Sequence, residues 1–131
     1  MLTTACQPAS LPHFSDRDIR VLSISSVEID ATASAQDGAP EICRTWSLTK
    51  DQAEKFFSFS TELDARTYYH EYDTAPCKLR GVVRAEGKAW EFTVNGAAKA
   101  VWVSGEDIRY LGCGTPSCEP LVMWPLWKEE K

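Results

Sequence analysis

The clearest pattern in this chain lies in its second half, where apolar and polar positions alternate with a period of two. Leu79, Gly81, Val83 and Ala85 alternate with Arg80, Val82, Arg84 and Glu86. Trp90, Phe92 and Val94 then alternate with Glu91, Thr93 and Asn95. That period puts each set on its own face of a strand. Glu86-Gly87-Lys88 between them is a hairpin turn, and Asn95-Gly96 is either a second turn or a kink. A further strand is predicted over 97–103, with Ala98, Ala100 and Trp102 on one face. Ser104-Gly105-Glu106-Asp107 reverses the chain, 108–113 predicts the next strand, and 121–126 a short last one.

The first half is less regular. Ile19, Val21, Leu22, Ile24, Val27 and Ile29 predict a strand over 19–30. The alternation slips near Ser25-Ser26, which suits a bulge. A second strand is predicted over 41–48, after a polar connection containing Gly38 and Pro40. Thr49-Lys50-Asp51-Gln52 opens a helix: the Thr49 hydroxyl accepts from the amide three residues on, and Gln52 reaches back. Asp51 adds favourable charge to the first turn. Ala53, Phe56, Phe57 and Ser60 share one face, so this helix packs through its phenylalanines and ends near 58–61. The aromatic run 67–72 predicts a strand or the wall of a cleft. The fold class is α+β: an antiparallel β-meander of about five strands with one main helix packed on one face. Residues 1–18 form a flexible lead-in, and 19–131 a single domain.

Composition narrows the function. A hydrophobic fraction of 44% and a charged fraction of 25% are globular values and exclude a disordered chain. A net charge of −5 argues against nucleic acid as a partner and fits a basic protein. No apolar run approaches the about 20 residues that span a bilayer. Residues 1–6 are too short for a signal peptide, yet Leu2-Thr3-Thr4-Ala5-Cys6 resembles the tail of a bacterial lipoprotein signal. On that reading Cys6 carries a lipid, the one membrane attachment expected. The other reading is a loose N-terminus with an ordinary cysteine.

Of the 5 cysteines, Cys43, Cys77, Cys113 and Cys118 lie in or beside the predicted β-segments. Cys113-Gly114-Thr115-Pro116-Ser117-Cys118 is a tight loop whose ends can meet, which leaves Cys43 with Cys77. Four cysteines allow three connectivities, so this pairing is one of three. Buried free thiols and a Cys₄ zinc site are the competing readings; zinc prefers two close C-x₂₋₄-C pairs, and only one close pair exists here. Disulfides imply an oxidising compartment.

The chain contains no GxSxG elbow, no phosphate-cradling glycine loop and no HExxH. Tyr69-His70-Glu71-Tyr72-Asp73 is the one cluster that resembles an active site. His70 beside carboxylates is an acid/base candidate, against the plainer readings of a polar, aromatic partner-binding edge or a solvated segment. Trp90 and Trp102, on adjacent predicted strands, are read as core. Trp124 and Trp127, in a proline-punctuated tail, are read as an interface or as a cover for the sheet edge.

Cys77, Gly81, Gly87-Lys88, Trp90, Phe92, Asn95, Ala97-Ala98, Trp102, Tyr110, Gly112-Cys113 and Cys118 together resemble a group of small proteobacterial α+β proteins, often exported and sometimes lipidated. The resemblance covers roughly 46–125 and rests on strand, turn and cysteine signals. Small acidic proteins of this look often serve as immunity proteins against toxins delivered by contact-dependent or type VI secretion. What the resemblance implies is a non-enzymatic, periplasmic binding protein that occludes a secreted toxin's active site, with no cofactor, no metal and no catalytic residue. Glu71, Asp73, Glu106 and Asp107, with His70 beside them, are then expected to meet a basic cleft, and Tyr68, Tyr69 and Trp124 to anchor the contact. Two alternatives stand beside it: a periplasmic or outer-membrane lipoprotein with an envelope or ligand-binding role, and a small enzyme using His70.

Overall fold

The computed structural model describes residues 19–29 and 39–123, with only the backbone of Ala39, Pro40 and Ile42. In chain order the elements are β1 (Arg20–Ile24), β2 (Glu28–Ile29), α1 (Ala39–Arg44), α2 (Lys50–Phe59), β3 (Thr61–Leu63), α3 (Ala65–His70), β4 (Cys77–Ala85), β5 (Lys88–Asn95), β6 (Lys99–Ser104) and β7 (Asp107–Gly112), followed by a 3₁₀ helix, Pro116–Leu121. The strands form one 7-stranded sheet in the order β1-β4-β5-β6-β7-β3, with β2 also on β4. The expected α+β class and meander are present: β4 to β7 pair antiparallel in succession, and one main helix packs on one face. The sheet is wider than five strands because short segments, β1 with β2 and β3, add to its two edges.

The turns follow from backbone sterics. Glu86 and Gly87 have φ of 55° and 82°, and Ala85 pairs with Lys88, as in a two-residue hairpin with both central residues left-handed. Asn95-Gly96 is a real turn. Asn95 Oδ1 accepts from the amides of Ala75 and Ala97 at 2.8 and 2.9 Å, and its Nδ2 donates to Ala75 O at 3.0 Å. This asparagine therefore ties the β5–β6 reversal to the segment entering β4.

The inner face holds the core. Thr49 and Gln52 close the expected capping box at 3.1 and 2.8 Å, so α2 starts where the sequence says. Ala53, Phe56 and Phe57 are buried against Leu79, Val83, Trp90, Phe92, Val94, Ala100 and Trp102. Phe57 stands edge-on to Phe92 and to Trp102, with ring centroids 5.1 Å away in each case. The far end of this core is closed by charge. Lys88 Nζ and the Arg109 guanidinium lie 4.6 and 5.0 Å from the Trp90 ring, and Arg109 reaches Glu86 at 2.7 Å. Such cations cover an indole while keeping their charge paired.

Three sequence expectations are corrected. The strand predicted over 41–48 is the helix α1, whose signals are a proline in its first turn, Glu41 in that turn and Arg44 in its last. The aromatic run over 67–72 is α3 for most of its length. Asp64 caps it, its carboxylate accepting from Thr67 N at 2.8 Å, and that local bond outweighs the β preference of the tyrosines. Of the strand expected over 121–126, Leu121 ends the 3₁₀ helix, Val122 and Met123 are in no strand, and 124–126 lie outside the described residues. Pro116 and Pro120 have no N–H to give to a ladder. The strand predicted over 19–30 is split into β1 and β2 around 25–27, and its register shifts between Val21 and Ser23. Residues 1–18, with Cys6 and His13, and 124–131, with Trp124 and Trp127, lie outside the described residues.

Both disulfides have the expected pairing. Cys43–Cys77 ties α1 to the start of β4, Cα to Cα 5.6 Å. Cys113–Cys118 ties the end of β7 to the 3₁₀ helix at 6.4 Å. The four sulfurs are bonded in pairs rather than present as the free thiols or zinc ligands also considered, and all four half-cystines are fully buried. Trp46 completes the layer, its indole N–H donating to Leu121 O at 3.0 Å.

Candidate functional site

The outer face of the sheet is where sequence and burial disagree most. An antiparallel sheet covered on one side presents polar residues on the other. Strands β4 and β5 obey this, with Arg80, Arg84, Glu91 and Thr93 turned outward. Strands β6 and β7 do not. Their outward positions are Val101 and Val103, paired with Tyr110 and Ile108. Val103 is 37% exposed and Ile108 53%. The inner face of this hairpin lies under α2, whereas on the outer face α3 covers the end at Lys99 and Gly112 and leaves Val103 and Ile108 exposed among the described residues.

The helix α3 raises an aromatic ridge at one end of this strip. Tyr68 is buried and does not present its ring, whereas Tyr69 is 62% exposed. The rings of Tyr68, Tyr69 and Tyr110 meet at centroid distances of 4.9, 5.0 and 5.8 Å. Tyr72 covers Gly112 so closely that a Cβ there would sit 2.5 Å from its ring. The absent side chain at Gly112 is what lets the turn after α3 lie on β7.

Lys99 is the residue that sequence reasoning missed. It is 2% exposed, and its ammonium donates to Thr74 Oγ1 at 2.8 Å and Tyr68 O at 3.3 Å while lying 4.4 Å from the Tyr68 ring. One cation thus pins α3 and the following turn to β6. Burial pulls its pKa below the ordinary lysine value, and Asp73 pulls the other way. The only sequence signal was its place as the outward neighbour of Val101 in an apolar strand.

Burial also shifts the tyrosines. It pushes Tyr68 from 10.0 to about 12 and raises Tyr72 and Tyr110, with nearby ionisable groups adding to each. A phenol whose folded pKa is raised contributes stability that is present below the unfolded value and lost as pH rises past it. Stability is therefore expected to fall as pH climbs from 10.0 towards about 12, and Tyr68→Phe to flatten that fall. Absorbance at 295 nm checks the titration, and urea midpoints across the same range check the stability.

The other predicted site residues are placed unequally. His70 is exposed in the last turn of α3, Glu71 caps that helix, and Asp73 is exposed in the following turn. No hydrogen bond or ion pair joins His70 to either carboxylate among the described residues. Glu106 is exposed in the two-residue β6–β7 turn, at the other end of the apolar strip. Asp107 is committed to Lys88, whose hydrogen bond and charge lower its pKa. Tyr69, Tyr110, Ile108 and Val103 thus join the acidic end at Glu71 and Asp73 to the acidic end at Glu106. The chain matches no known protein family, no curated protein and no solved structure. Two disulfides are compatible with an oxidising, extracytoplasmic location. No described helix is long and apolar enough to cross a membrane.

Proposed function

We propose that this protein is a non-enzymatic binding protein of the periplasm, an immunity protein that covers the active site of a secreted bacterial toxin with its outer sheet face. The observation that supports this reading is the apolar strip of exposed Val103, Ile108 and Tyr69 with half-buried Tyr110 among them, bounded by carboxylates at both ends. Rigid aromatics at the centre of a patch with charges on its rim are the usual anatomy of a protein-binding surface. Glu71, Asp73 and Glu106 lie at that rim and suit a basic cleft, and a net charge of −5 steers such a partner towards the face.

The experiment is a capture of secreted proteins from the source bacterium and its competitors, with the oxidised protein as bait. The expected result is one stoichiometric toxin whose activity the protein inhibits. Ile108→Asp, at an exposed position, is expected to weaken that complex by about 100-fold with little change in melting temperature. Recovery of envelope proteins alone would favour a lipoprotein role, and an unchanged affinity for the Ile108 variant would remove this face from the account.

A further inference from the structure

The β1–β4 side of the outer face carries a second, unused element. Arg20 and Arg84 stand directly opposite each other in the β1–β4 ladder, and both are exposed. Neither makes an ion pair among the described residues. Like charges at such a position repel each other and weaken the ladder. Arg80 lies on the same face four positions along β4, its Nε held at 3.0 Å by Glu28, which pairs with Lys78 on the side away from Arg84. Arg20 and Arg84 thus place two exposed guanidinium groups side by side on an acidic chain.

A backbone irregularity aims at the same place. In an unbroken strand, 20, 22 and 24 would share a face. The shift between Val21 and Ser23 instead sets Ser23 opposite outward-facing Val82. A bulge of this kind re-aims a side chain. It has been given room, because a Cβ on Gly81 would sit 2.1 Å from Ser23 O. Ser23, Ser25, Arg80 and Val82 line a shallow depression beside the arginines, with Glu91 on its far wall.

We infer that Arg20, Arg84 and the Ser23 hydroxyl form a binding site for a phosphate-class oxyanion. Guanidinium forks bind such an anion bidentately, and the anion removes the repulsion that Arg20 and Arg84 impose on the free protein. Glu91 keeps it on the β1 side of the depression. This site is independent of the partner reading above.

The test uses the full chain with both disulfides intact. Inorganic phosphate is titrated against sodium chloride at matched ionic strength, following the arginine Nε–H NMR signals and the melting temperature. The expected result is saturable movement of the Arg20 and Arg84 signals and a thermal shift that chloride does not give. Arg84→Gln is expected to weaken phosphate binding by about tenfold while raising the phosphate-free melting temperature by about 2 °C. Arg84→Lys, which keeps the charge and loses the fork, is expected to weaken binding by several-fold. Glycerol phosphate and phosphatidylglycerol vesicles are run alongside. Vesicle binding displaced by glycerol phosphate identifies a lipid headgroup as the source, and response to glycerol phosphate without vesicle binding identifies a soluble ester; either supports the site. Shifts that match chloride, or saturable binding that survives Arg20→Gln with Arg84→Gln, would overturn it.

Discussion

Replacing Cys43 and Cys77 together by alanine is expected to lower the unfolding free energy by about 4 kcal/mol, and the same change at Cys113 and Cys118 by about 2 kcal/mol. The difference comes from the unfolded chain. The first disulfide spans 34 residues and the second 5, and the entropy removed by closing a loop grows with the logarithm of its length. The folded sites are alike, since all four half-cystines are fully buried. The longer cross-link also joins α1 to the first strand of the meander, a contact made by no other covalent tie. Guanidinium denaturation of the two double variants checks this. Equal losses would show that native packing around the sulfurs, rather than loop closure, sets their value. The same result bears on compartment, because a domain that loses this much on reduction depends on an oxidising environment to stay folded.

Phe57→Ala is expected to cost about 4 kcal/mol, the upper range for a buried aromatic. Phe57 is fully buried and sits at the centre of the helix–sheet contact, edge-on to Phe92 and Trp102 and 5.8 Å from Phe56. Truncation forfeits its own burial, the edge-to-face contacts, and the packing of groups that cannot collapse into the space. Phe59, two residues on in the same helix and 38% exposed, supplies the control, with an expected loss below about 1 kcal/mol. Urea midpoints of the two variants at equal m-value separate the effects. A loss at Phe57 no larger than at Phe59 would mean that the sheet, not the helix contact, carries the core.

What was legible in the sequence was whatever depends on near neighbours. The capped start of α2 rests on Thr49 and Gln52, three residues apart. The Glu86-Gly87 hairpin rests on two left-handed residues, and the inward set Leu79, Val83, Trp90, Phe92 and Val94 on simple alternation. The short loop made the Cys113–Cys118 pair one candidate among three connectivities, and the structure selects it. Of the candidate site, the aromatic and acidic residues around α3 were visible as a cluster. Their element was not, because the Asp64 cap competes with tyrosine β preference and single-residue propensities do not weigh the two.

The sequence by itself determined the fold class, the α2–sheet core and the acidic, globular character of the chain, all of which follow from composition, period and local hydrogen bonding. Only the tertiary structure decided which face of β6 and β7 stays open, that Tyr68 is buried while Tyr69 is not, and that Asp107 is taken by Lys88. It also decided that Lys99 is enclosed under α3 and that Arg20 stands across from Arg84. The contacts of Lys88, Lys99 and Arg20 among these join residues from 19 positions apart, as Lys88 and Asp107, up to the span from Arg20 to Arg84. A strand's period states that its faces differ, but register and the placement of helices decide what each face meets.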